Sequence, residues 1–98
     1  MQNEAFVEAV QLDPDTAELH FALGNLFRRR GEFDKSVRVH EHLIARADLS
    51  QSDRDRAQHA LALDFLRAGL LDRAETALKK LNQSDWHLER LVHRDVTS

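Results

Sequence analysis

Residues 23–35, LGNLFRRRGEFDK, recur in altered form at residues 61–73 as LALDFLRAGLLDR. In both copies a helix-forming stretch with an apolar stripe runs into a glycine, Gly31 or Gly69, and a second such stretch follows. Glycine is the residue that most readily adopts the left-handed backbone conformation at the C-terminus of a helix. The recurrence therefore predicts two helical hairpins, each with a tight turn at its glycine.

The composition favours an all-α chain. Its 98 residues include three glycines and one proline, the two strongest breakers of regular structure. A charged fraction of 32%, a hydrophobic fraction of 42% and a net charge of -3 fit a folded protein and argue against polyanion binding by bulk charge. Without cysteine, these residues hold neither a disulfide nor a thiolate metal site, which suits the cytoplasm. No apolar run approaches the roughly 18 residues needed to cross a bilayer.

The spacing of apolar residues predicts the helices. The template i, i+3, i+4, i+7 fits residues 19, 22, 23, 26 and 27, which we expect to form the buried stripe of the first full helix. The expected helices span residues 3–12, 16–30, 34–47, 53–68, 71–82 and 85–95. The rings of Phe27 and Phe65 should be buried between the two helices of their own hairpins.

Local signals predict where two of these helices begin. Asp15, with Glu18 three residues later, fits a capping box, and Pro14 should stop the preceding helix. Either Ser50 or Ser52 can cap the helix after the longest loop.

Two polar residues fall where an apolar side chain is expected. His40 lies on the apolar stripe of its helix and should be a core histidine with one polar partner. Asp64 lies beside Phe65 near a helix–helix seam. A buried carboxylate needs a donor, so we expect an ion pair or a hydrogen bond there.

The repeated hairpin resembles the tetratricopeptide repeat, whose period of about 34 residues is exceeded here because of the polar loop RADLSQSDR. The resemblance divides the chain into residues 1–14 (the end of a truncated repeat, with Phe6, Ala9 and Pro14 at its marker positions), 16–47, 53–82 and 83–98 (the start of another repeat). It implies a right-handed helical solenoid with a concave groove that binds protein segments.

A closer resemblance covers about residues 5–81. The arginine–glycine turn, the histidine-bearing second helix, the long loop and the turn AGLLDRAE follow one another as in the lipopolysaccharide assembly protein B family of Gram-negative bacteria. That resemblance implies an adaptor on the cytoplasmic face of the inner membrane. The expected partners of this adaptor are a membrane-bound AAA protease and membrane regulators. The resemblance further implies that the adaptor promotes degradation of the lipid A pathway deacetylase. The family's membrane helix and zinc domain correspond to no residue here, so membrane contact is expected only through a helix of the longer protein.

Helical phase predicts the lining of the groove. The arginines at residues 28–30 end a helix, where the helix dipole favours cations, and they fan out by about 100° each, so they do not form one phosphate patch. We expect no nucleic acid partner. The predicted protein-binding groove consists of Phe21, Asn25, Arg28, Arg29, His59, Leu63, Leu66 and Arg67.

Two alternatives stay open at this point. One is a generic peptide-binding repeat module that grips a terminal carboxylate; Asn25 fits such a clamp, whereas Phe21 and Leu63 depart from it. The other is a self-assembling solenoid, hence a homo-oligomer, because the ends of a cut solenoid expose apolar faces.

Neither nucleophile–histidine pairs, paired carboxylates nor glycine-rich phosphate loops occur, and the histidines lack the spacing of a zinc helix. We therefore expect no enzyme activity, no cofactor and no metal.

Overall fold

The computed structural model describes residues 12–84, which form four α-helices: α1, Pro14–Arg29; α2, Phe33–Ala45; α3, Gln51–Arg67; and α4, Leu71–Ser84. This part of the chain contains no strand, so the all-α prediction is confirmed. Each helix packs on the next, and α1 also touches α3. None of these four helices is long and apolar enough to cross a membrane. The helices expected over residues 3–12 and 85–95, and most of the end units 1–14 and 83–98, lie outside the described residues.

Both tight turns form at the glycines, as predicted. Gly31 has a φ of 78° and Gly69 a φ of 82°, in the left-handed region. In the first turn the N–H of Glu32 donates to the carbonyl of Phe27 at 2.9 Å, and that of Gly31 donates to Arg28 at 3.0 Å. The same two bonds close the second turn, from Leu70 to Phe65 (2.8 Å) and from Gly69 to Leu66 (3.0 Å). This is the Schellman motif, which satisfies the last carbonyls of a helix.

The helix starts correct one prediction and confirm another. α1 begins at Pro14, and its N-cap is Asp13, whose Oδ2 accepts the N–H of Asp15 at 3.1 Å. The predicted cap at Asp15 is therefore wrong, because proline fits the first helical position, where no N–H is needed. α3 is capped by Ser50, whose Oγ accepts a backbone N–H at 3.1 Å. Ser52 lies inside that helix.

The core lies between successive helices. One cluster joins α3 and α4 with two half-buried residues of α2, and a second joins α1, α2, α3 and the loop before α3. The first consists of Leu61, Ala62, Phe65, Ala74 and Ala77, with Val37 and Ile44 against it. The second consists of Phe21, Leu43, Leu49 and Ala57, with Leu12 and Ile44 against it.

The buried face of α1 differs from the predicted stripe. Its buried residues are Ala17, Phe21 and Gly24, whereas Leu19, Leu23 and Leu26 are exposed. The reason is that α1 turns its Ala17–Phe21–Gly24 side toward α2 and α3. The leucines lie on the opposite side, where residues 12–84 supply no further helix.

The two phenylalanines predicted to be buried in the hairpin seams differ from each other in burial. Phe65 is buried, as predicted, in the cluster that Val37 of α2 covers. Phe27, at the same repeat position, is only half-buried. Because α1 is the first helix of the described stack, no counterpart of α2 lies over Phe27 within it.

Candidate protein-binding surface

The predicted groove residues divide into three groups in the structure. Phe21 lies in the core, Asn25 and Arg28 take part in a half-buried polar network, and the others lie at or near the surface of α1 and α3. The exposed side chains are Arg29, His59, Leu66 and Arg67, and Leu63 is half-buried.

The ring of Phe21 is not available to a partner. It is 2% exposed, and the guanidinium carbon of Arg56 lies 3.9 Å from its centroid. Arg56 in turn binds Glu18, with Nη1 to Oε2 at 2.5 Å and Nη2 to Oε1 at 3.2 Å. That hydrogen-bonded ion pair lowers the pKa of Glu18 and raises the pKa of Arg56, with the side-chain hydrogen bond as the largest cause. The placement of Phe21 in the groove is thus corrected: an ion pair between the repeats covers it.

Glu18 and Arg56 were missed in the sequence, although a signal for them existed. They occupy the same position in the two repeats and carry opposite charges, and stacking brings equivalent positions side by side. Applying the offset between Gly31 and Gly69 to every charged residue of the first helices would have paired them.

Arg28 and Asn25 are engaged with each other and with the interior. Arg28 Nη2 donates to Asn25 Oδ1 at 2.9 Å, and Nη1 donates to Asp64 Oδ1 at 3.1 Å. The side chain of Arg28 is 12% exposed and that of Asp64 is fully buried. A carboxylate at the seam thus has its donor, as predicted. The carbonyl of Asn25 is occupied, so a carboxylate clamp at this position would have only the amide N–H₂ to offer.

His40 completes the network from α2. Its Nδ1 donates to Asp64 Oδ2, because a carboxylate there can only accept, and the ring is fully buried. Its Nε2 has no polar partner and faces Gly24. A Cβ at Gly24 would lie 2.5 Å from Nε2, so the glycine makes room for the ring. The prediction of a core histidine with one polar partner is confirmed, and the network ties α1, α2 and α3 together.

The remaining surface keeps two unpaired cations. Arg30, Arg46 and Arg56 each form an ion pair with an acidic residue, whereas Arg29 and Arg67 form none with any residue between 12 and 84. These two arginines are repeat equivalents at the C-terminal ends of α1 and α3. We call Arg29, His59, Leu63, Leu66 and Arg67 the first-helix surface. Its role as a binding site stays a prediction.

Within residues 12–84 no group of three histidine, cysteine or acidic side chains is placed to hold a metal ion. The expectations of no metal, no cofactor and no enzyme activity stay predictions.

Comparison with known proteins gives one consistent set of relatives. Lipopolysaccharide assembly protein B of Escherichia coli K12 is 38% identical over 89 residues, which are 90% of this chain and 23% of that protein. The protein of the same name from Haemophilus influenzae is 41% identical over 58 residues, 59% of this chain and 15% of the relative. No family model and no solved structure matches. The chain is thus similar to a stretch of about a quarter of the length of lipopolysaccharide assembly protein B.

Proposed function

We propose that the chain is a tetratricopeptide-type scaffold that binds proteins and acts in lipopolysaccharide assembly. In this proposal it serves as an adaptor on the cytoplasmic face of the inner membrane, in proteolysis of the lipid A pathway deacetylase by a membrane-bound AAA protease. The observation that carries the proposal is the 38% identity with lipopolysaccharide assembly protein B across 90% of the chain. The stacked hairpins support it, because repeat stacks present long surfaces and not enclosed catalytic pockets.

The first-helix surface supports a partner of definite chemistry. Leu66 is 52% exposed. Arg67 follows it in the chain, and Arg29 is the repeat equivalent of Arg67 on α1. An apolar centre with a charged rim is the usual anatomy of a protein interface. A segment with acidic residues around one apolar side chain would match it, since each carboxylate would meet an arginine that forms no ion pair within residues 12–84.

The test is an exchange of segments. The matched 89 residues of the Escherichia coli protein are replaced by those of this chain, and the chimera is expressed in cells depleted of their own protein. We expect growth and a low level of the deacetylase. Accumulation of the deacetylase with a stably expressed chimera would contradict the role in lipopolysaccharide assembly and favour a repeat module of another pathway.

The surface is tested within the same chimera. The double variant Arg29→Glu and Arg67→Glu should raise the deacetylase level with only a small loss of melting temperature, because neither arginine makes an ion pair in residues 12–84 and only its favourable interaction with a helix C-terminus is lost. The matched control is Arg38→Glu with Arg73→Glu, which changes the charge equally at two exposed arginines of α2 and α4. If only the control variant loses function, partners bind on the side of the second helices and the first-helix surface is wrongly assigned.

A further inference from the structure

The polar network of Arg28, His40 and Asp64 stands where the other repeat carries apolar residues. It lies at the junction of α1, α2 and α3, with two of its side chains fully buried and the third 12% exposed. The offset of the internal repeat gives each member an equivalent position, and all three equivalents are leucine: Leu66, Leu78 and Leu26. The chain thus uses polar side chains at this junction although its own repeat offers an apolar one for each.

Stability by itself does not favour polar groups at this junction. Taking charged groups out of water is costly, and the attraction between them offsets that cost only when every hydrogen bond is made. Here one is missing, because the Nε2 atom of His40 is buried without a hydrogen-bond partner in residues 12–84. Well-packed apolar side chains of similar volume are often as stable as a buried ion pair, or more stable. A role other than stability would explain why polar groups occupy the junction.

The network supplies direction, which leucine does not. Each oxygen of the Asp64 carboxylate accepts from a different helix: Oδ1 from Arg28 Nη1 of α1 at 3.1 Å, and Oδ2 from His40 Nδ1 of α2. Hydrogen bonds weaken steeply when donor and acceptor are misaligned, whereas apolar contacts have no preferred direction. A slip of α2 along α3 by one helical turn, about 5.4 Å, would leave a buried N–H and a buried carboxylate oxygen unpaired.

The imidazole of His40 is also matched to α1 by space. A Cβ atom at Gly24 would lie 2.5 Å from His40 Nε2, so the ring fits only against a residue without a side chain. The equivalent of Gly24 in α3 is Ala62, whose methyl group would occupy that space. His40 is therefore paired with α1 by shape and with α3 by its hydrogen bond to Asp64.

We propose that this network is a positioning device, which selects one register and one order in which the hairpin of α1 and α2 packs on the hairpin of α3 and α4. Similar hairpins in one chain compete for the same partners, and misassembly is a characteristic failure of repeat proteins. The network disfavours the incorrect packings, because each of them buries a donor or an acceptor without a partner. A buried polar residue sets the register of coiled coils in the same way, at a cost in stability.

The test replaces the three positioning residues by the leucines of the other repeat, in the variant Arg28→Leu, His40→Leu and Asp64→Leu. The substitutions Glu41→Cys in α2 and Glu75→Cys in α4 place nitroxide labels at two exposed positions, in a chain that has no other cysteine. Double electron–electron resonance then measures the distance between the hairpins. With the network intact we expect one narrow distance.

In the triple variant we expect a second maximum, or a distribution about twofold wider or more, with the helical circular dichroism at 222 nm retained. A single narrow distance would show that apolar packing alone sets the register, and it would overturn the proposal. Loss of the helical signal would overturn it as well, because the network would then be needed for stability itself.

Two matched variants separate positioning from stability. Asp64→Asn keeps an acceptor oxygen, so it should give one narrow distance although its unfolding midpoint is lower. Glu18→Gln with Arg56→Gln removes an exposed ion pair that also joins α1 and α3. Its distance should stay single, because exposed groups bond to water in any packing. If either variant broadens the distribution as much as the triple variant does, the width follows the loss of any contact between repeats and the proposal fails.

Discussion

Replacing Asp64 by leucine tests how much the buried polar network holds the helices together. The substitution removes the acceptor of two donors, Arg28 Nη1 and His40 Nδ1. His40 is fully buried and has no other polar partner, so its N–H would lose a hydrogen bond without gaining one to water. Arg28 would keep its hydrogen bond to Asn25 and the small part of its side chain that is exposed to solvent.

The size of the effect follows from these exposures. Removing one partner of a buried charged pair costs about 3–5 kcal/mol. The lower end applies here, about 3 kcal/mol, because Arg28 keeps one hydrogen bond and is 12% exposed. Asp64→Asn keeps the shape and one acceptor oxygen, and it should cost about 1–2 kcal/mol. Adding His40→Leu to Asp64→Leu removes the stranded N–H, so it should restore about 1 kcal/mol instead of costing more.

The assay is urea unfolding at pH 7, followed by circular dichroism at 222 nm. For a slope of about 1.5 kcal/mol per molar urea, Asp64→Leu should lower the midpoint by about 2 M. A loss below about 1 kcal/mol would show that the seam does not depend on the carboxylate. If His40→Leu lowers the free energy of unfolding by the same amount in the Asp64→Leu protein as in the wild type, the two side chains are not coupled and the reasoning is refuted.

Three more predictions concern single positions. Gly24→Ala should lose about 1 kcal/mol in urea unfolding, because a Cβ 2.5 Å from His40 Nε2 costs more than the gain in helix propensity; increased stability would contradict the packing. Gly31→Val should cost about 1–2 kcal/mol through left-handed strain alone, since the space around it is open; an unchanged melting temperature would show that the turn relaxes. Arg56→Gln should raise the pKa of Glu18 toward 4.5, measured by carboxyl ¹³C NMR. The pKa of Glu18 is lower in the folded protein than in the unfolded chain. The ion pair therefore stabilises the fold fully at pH values above the ordinary pKa, and this stabilisation is lost as the pH falls through the lowered pKa. The variant's stability should therefore drop less in acid.

The helices and turns were predictable because their causes are local. Apolar spacing placed the four described helices within two residues of their observed ends, and glycine is needed where φ is 78° and 82°. Ser50 was one of two predicted caps because a short side-chain oxygen before a helix satisfies its own first turn. The cap of α1 was missed because the sequence around Pro14 offers two aspartates, Asp13 and Asp15.

The polar network was predictable only in part. The positions of His40 and Asp64 on apolar stripes implied that each had a polar partner, but not which one. Arg28 reaches Asp64 from a different helix, 36 residues away in the chain. The same network engages Arg28 and Asn25 with each other, and Arg56 covers Phe21. Such pairings depend on how the helices stack, so periodicity within one helix does not predict them.

The sequence by itself determined that α1 has an amphipathic pattern; the tertiary structure decided which side is buried. A first helix in a repeat stack carries apolar side chains on two sides, one for its own repeat and one for the helix before it. The leucines at 19, 23 and 26 give the stronger periodic signal, yet Ala17, Phe21 and Gly24 are the residues that α2 and α3 cover. Burial depends on a neighbouring helix as well as on the side chain, and only the stack shows where the neighbours are.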